Sequence, residues 1–126
     1  NLKKNLHDCT HVILFAATIG AGIDRLIRRF EVSDPALGMI LQGLGAERVE
    51  SLCDRFNKDV KEAALEKGYQ AHPRFSPGFG DLPITVQKDF LAGLDASRRM
   101  GITLSESLLM SPSKSVTAIV GIRAST

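Results

Sequence analysis

From His72 to Asp81 the chain reads His-Pro-Arg-Phe-Ser-Pro-Gly-Phe-Gly-Asp, and Arg74 is its most chemically capable side chain. Three prolines and two glycines fall within His72–Pro83, which no helix tolerates. Proline fixes φ and glycine opens dihedrals closed to other residues, so an ordered loop that approaches a ligand closely is expected. Phe75, Phe79 and Leu82 are its apolar anchors. Arginine offers a planar fork that grips a carboxylate through two parallel hydrogen bonds. A ligand's carboxylate and a surface carboxylate of the same chain would satisfy that fork equally, and the loop alone does not choose between them.

Two other clusters invite chemistry. Thr18-Ile19-Gly20-Ala21-Gly22 follows an apolar run and precedes a helical pattern, the arrangement by which dinucleotide folds aim backbone N–H groups at a pyrophosphate. The third glycine position holds Arg25, and no strand follows at βαβ spacing, so tight-turn packing is the expected role of Gly20 and Gly22. His7-Asp8-Cys9-Thr10-His11 offers metal-ligating types, but structural zinc needs about four ligands and no second pair lies at suitable spacing. His72 is isolated in sequence, and no metal site is expected. Cys9 and Cys53 carry no nucleophile motif, and no Ser-His-Asp arrangement appears.

The elements that must position these residues follow from periodicity. Val12–Ala17 is a continuous apolar run and predicts a strand buried on both faces, its partner undetermined. Ile23, Leu26, Ile27 and Phe30 make an amphipathic helix. Ser33-Asp34-Pro35 starts a long helix, or two abutting ones, that stops at Gly68. It carries two apolar stripes, Leu37/Ile40/Leu41/Leu44 and Val49/Leu52/Cys53/Phe56/Val60, with Gly43 and Gly45 marking a bend or a change of packing partner. A helix from Ile84 to about Arg99, strands over Gly101–Ser107 and Ser115–Ile122 that can form a hairpin, and a short helix within Asn1–Thr10 complete the reading. The fold class is α+β, a mostly antiparallel sheet with packed helices, in one domain spanning residues 1–126.

Composition excludes several classes. With 126 residues, 44% hydrophobic, 24% charged and net charge +2, the chain has neither the basic strip nor the aromatic ladder of a nucleic-acid binder. No apolar run reaches the roughly 18 residues of a membrane span. Two cysteines far apart make a reducing cytoplasm the default compartment.

The Arg74 loop is similar to the Arg-Pro-Ala-Pro-Gly-Tyr loop of the activation domain of vitamin B12-dependent methionine synthase, and closer still to that of its short stand-alone relatives. Gly101-Ile102-Thr103-Leu104-Ser105-Glu106-Ser107, then Met110-Ser111-Pro112, then Lys114-Ser115-Val116-Thr117 continue the resemblance in order. Upstream, the strand leading to Ala17-Thr18-Ile19-Gly20 and the helix carrying Glu50 fit it too.

This resemblance implies S-adenosylmethionine binding by Arg74, Ser76, Gly78, Phe79 and Glu50. Phe79 stands where the family usually has tyrosine, so a hydroxyl contact is lost while the ring stays. An ungapped match over Gln42–Phe56 places Glu50, which lies about 100° from the Val49–Phe56–Val60 stripe, at its edge; Glu47 and Asp54 point further out. The implied role is to support reductive methylation of cob(II)alamin, the cobalamin being held by a methionine synthase or another corrinoid protein. A flavodoxin-like or similar donor would supply the electron. No catalytic residue is implied in the chain itself. The alternative is a corrinoid-protein docking module without methyl-donor binding. Two family contacts, an early aspartate and a late tyrosine, find no counterpart here. The chain is therefore expected to be an N-terminally truncated core with an apolar face or unpaired strand edge, which a homodimer can cover.

Overall fold

The computed structural model describes residues 6–125. Strand β1 (His11–Thr18) leads through a tight turn into helix α1 (Gly22–Phe30), then α2 (Pro35–Glu66) and a short strand β2 (Tyr69–Ala71). After the proline-rich loop come a 3-10 turn (Ile84–Val86), helices α3 (Gln87–Leu94) and α4 (Ala96–Met100), strands β3 (Thr103–Leu104) and β4 (Met110–Ser111), and the long strand β5 (Ser115–Ala124). The architecture is α+β with antiparallel pairing throughout the two sheets.

β5 is the centre of the main sheet, whose order is β1-β5-β2. The partner of the first strand is thus the last, from His11↔Ile122 to Thr18↔Ser115. The expected hairpin between the final two strand segments does not form. β5 is committed to β1 and β2, while β3 pairs only with β4. The strand expected over 101–107 is shortened to two residues, because the Ser105 hydroxyl and carbonyl accept from Leu109 and Leu108 and curl the chain away.

Alternating residues of the sheet feed two cores. Phe15, Ala17, Ala118, Val120 and Ile122 pack on Cys53 of α2. On the opposite face Ala16 meets Leu91, Ala96 and Ile102 of the α3–α4 side. β1 is therefore sandwiched only in its second half; Val12 stays 52% exposed, against the expectation of burial throughout.

α2 is one continuous helix. Asp34 caps it by accepting from the Leu37 N–H at 3.2 Å, Pro35 fits its first turn, and Gly68 follows its end at φ +80°. Its buried residues are Gly38, Gly45, Val49 and Cys53, not the expected first stripe: Ile40 and Leu44 are exposed. The small residues win because the end of α1 and the Lys114 side chain lie close, with Glu31 against Gly38, and Lys114 and Ile23 against Gly45. The helix read over 84–99, by contrast, is interrupted by Asp95 in the left-handed conformation, and Ala96 just beyond the break is fully buried. The short N-terminal helix expected over Asn1–Thr10 begins outside the described residues, and Leu6–Asp8 form a turn closed by Cys9 N–H to the Leu6 carbonyl.

Gly20 serves the tight turn as expected, but neither Gly20 nor Gly22 is required by close packing. A Cβ on Gly20 would meet nothing within 4 Å, and one on Gly22 only the tip of Arg25. Gly20 is needed for its φ of +85°. Gly20→Ala is expected to cost about 1–2 kcal/mol, whereas Gly22→Ala should be neutral or stabilise by up to about 1 kcal/mol. Urea unfolding midpoints of the two variants check this contrast.

Candidate functional site

The proline-rich loop leaves β2 at Ala71 and keeps contact with β5. His72 N–H bonds to the Gly121 carbonyl at 2.8 Å, and Phe75 exchanges both backbone hydrogen bonds with Ile119. Gly78, at φ +92°, lets the loop fold back so that its N–H reaches the Leu82 carbonyl at 2.9 Å. Phe75 thus docks the loop on the sheet, Leu82 is buried, and Phe79 is 66% exposed, so it is not an anchor.

Between this loop, α2, α3 and β5 lies an open cleft of about 470 Å³. Glu50, Arg74, Ser76 and Phe79 all line it, so four of the five residues singled out in sequence are brought together. Gly78 lies in the same loop but is not among the lining residues. The opposite wall is Gln87 from α3, which sequence reasoning missed, with Ser115 and Thr117 from β5, all buried, and Met110 beside them. Ser115, Thr117 and Met110 belong to the segments that carry the resemblance but were assigned no role. Thr117 donates its hydroxyl to the Gln87 side-chain oxygen, and Ser115 donates to the Pro112 carbonyl at 2.7 Å.

Arg74 is held from one helix face. It donates to Glu50 at 2.8 Å, to Asp54 at 2.9 Å and to the Asn57 side-chain oxygen at 2.9 Å. Burial opposes the charge, but the hydrogen bonds that Arg74 donates to Asp54 and Glu50 outweigh it and raise the guanidinium above its ordinary pKa. The cation is therefore permanent. Asp54, expected to point further out, is indeed exposed yet reaches Arg74. The signal that would have found it is spacing: Glu50, Asp54 and Asn57 stand at i, i+4 and i+7, one polar stripe of α2. Beneath, burial pushes the Cys53 thiol up in pKa, as befits a packing residue.

Chemically, the cleft pairs one fixed cation with a carboxylate that is 58% exposed, above a wall of neutral hydrogen-bonding groups. That arrangement suits a zwitterionic ligand: its carboxylate can displace an acid from Arg74 while its ammonium takes the released acid. Among the described residues no helix is long and apolar enough to cross a membrane.

Comparison with known proteins agrees with this architecture. The crystal structure of the MetH reactivation domain bound to AdoHcy superposes with a TM-score of 0.74 at 23% sequence identity. The alignment covers 87% of this chain and 38% of that one, so the chain spans well under half the length of that structure. A comparison with curated proteins gave no match. The family model for the vitamin B12 dependent methionine synthase activation domain matches residues 2–125, nearly the whole sequence, and the chain belongs to that family.

Proposed function

We propose that the cleft binds S-adenosylmethionine and that the protein uses it to support reactivation of a cobalamin-dependent methionine synthase. The observation that carries this reading is the Arg74–Glu50 pair facing one cleft, in a chain of the activation-domain family. The volume of about 470 Å³ lies within the roughly 300–1,000 Å³ usual for small-ligand sites. The structural relative carries AdoHcy, the same molecule without the transferable methyl group.

Arg74 binds the ligand's carboxylate with its fork, and Glu50 faces the ammonium. Ser76 supplies a polar group to the cleft, Phe79 adds an exposed ring to its lining, and Gly78 gives the loop between them its turn. A corrinoid held by a methionine synthase or another partner protein would supply the methyl-accepting cobalt, and a flavodoxin-like or similar donor the electron. The residues here need only orient the sulfonium and exclude water. No general acid or base is required of them.

A second reading, a corrinoid docking module without methyl-donor binding, is favoured by one observation: Arg74's donors already have three partners in its own chain. The competition is itself measurable. Asp54 is exposed, and its pair with Arg74 is worth about 0.2–1 kcal/mol. Asp54→Ala should therefore tighten S-adenosylmethionine binding by up to about fivefold, as read by equilibrium dialysis.

Reactivation is tested by mixing the protein, a cob(II)alamin-loaded methionine synthase, a one-electron reductant and methyl-labelled S-adenosylmethionine. Label transfer that depends on this protein supports the proposal. Protein-dependent complex formation without transfer supports the docking module instead.

A further inference from the structure

The sequence keeps His72 far from Asp8 and Cys9, but the sheet brings the three together at the opposite end of β5 from Ser115. Thr10 N–H bonds to the Ile122 carbonyl and His72 N–H to the Gly121 carbonyl, which places the two segments on either side of β5. Gly121 leaves the gap between them open. A Cβ there would lie 2.5 Å from the Cys9 sulfur, so glycine makes the seat in which Cys9 sits. The Asp8 carboxylate, the Cys9 sulfur and the His72 ring offer ligand atoms within 4.8 Å of one another.

Two features separate this cluster from a chance meeting of polar side chains. His72 Nε2 is buried yet has no hydrogen-bond partner among the described residues; Asp8 Oδ1 lies 3.4 Å away. With that long contact to Asp8 and no hydrogen bond among the described residues, a buried ring nitrogen is costly unless something else occupies it. Asp8 is also pre-oriented. Arg123 donates to its Oδ2 at 2.6 Å and is itself steadied on the Gln70 side-chain oxygen at 2.7 and 3.1 Å. Oδ1 is thereby turned toward His72, the outer arrangement typical of ligating carboxylates.

We propose that Asp8, Cys9 and His72 form a binding site for a divalent transition metal, zinc by preference, that clasps the segment before β1 to the start of the Arg74 loop. The donor set of one thiolate, one imidazole and one carboxylate suits zinc, with a solvent molecule as fourth ligand. Tetrahedral zinc sets its ligand atoms about 3.3–3.8 Å apart, so closure by about 1 Å completes the site. His7 and His11 are not part of the cluster, although they flank it in sequence.

The test titrates the metal-stripped full chain with Zn²⁺ alone, and with Co²⁺ as a spectroscopic probe. One Zn²⁺ per chain is expected, and the cobalt protein should show thiolate-to-metal charge-transfer absorption. Cys9→Ser should abolish that band, His72→Ala should abolish stoichiometric binding, and Arg123→Ala should weaken it about ten- to a hundredfold. His7→Ala should retain both band and stoichiometry. Should His72→Ala fail to fold, Asp8→Asn, an exposed and nearly isosteric change, gives the same readout. No binding at micromolar metal, or binding that survives in Cys9→Ser and in His72→Ala or Asp8→Asn, would overturn the proposal.

Discussion

Arg74→Ala is expected to lower S-adenosylmethionine affinity about ten- to a hundredfold. A charge-assisted hydrogen bond contributes about 1.5–3 kcal/mol, and in a cleft lined by Arg74 the ligand's carboxylate has this guanidinium to bind. The loss is partly offset, because the wild-type fork must first release Glu50 or Asp54. Arg74→Lys should recover only part of the affinity, since an ammonium is a point charge and cannot reproduce two parallel bonds. Calorimetry distinguishes the outcomes. An unchanged dissociation constant in Arg74→Ala would remove Arg74 from the ligand's contacts while leaving the fold as described. Stability should change little by comparison, because both acids paired with Arg74 are more than half exposed and return to water.

The largest stability effect is expected at Ile102. It is 1% exposed and locks Leu91 and Ala96 against Ala16 of β1. Ile102→Ala removes three buried carbons and leaves a cavity that a helix break at Asp95 cannot easily collapse, at a cost of about 2–5 kcal/mol. Because α3 also carries Gln87 into the cleft wall, loosening this cluster should weaken ligand binding as well. Met39→Ala is the matching control: at 77% exposure it should shift the urea midpoint hardly at all. Equal midpoints for the two variants would mean that the second core is not closed as described.

What the sequence revealed and what it withheld divide along physical lines. Local signals were legible: Asp34-Pro35 as a helix start, Gly68 as its end, and the prolines and glycines around Arg74 as an ordered loop. Long-range pairing was not. Nothing in Val12–Ala17 says that its partner lies about a hundred residues on at Gly121–Val116, and β2, the three residues directly following Gly68, is too short to show a period. Along α2 the second apolar stripe buries Val49 and Cys53 as its period implies, but in the first half close neighbours select Gly38 and Gly45 over the large apolar residues. In the cleft, Arg74 and Glu50 carried enough chemistry to be noticed. Gln87 and Thr117 did not, since single neutral polar residues acquire meaning only when the fold buries them together. His72 near Asp8 and Cys9 is a product of sheet register alone.

The central claim is that S-adenosylmethionine occupies the cleft beside Arg74, and amide and side-chain NMR of the labelled protein during its titration tests this most directly. Saturable shifts are expected on the Arg74 guanidinium N–H, the backbone of Phe75 to Phe79 and the Gln87 side-chain amide, with the Gly20–Gly22 turn unmoved. Shifts centred on that turn, or none at millimolar ligand, would contradict it.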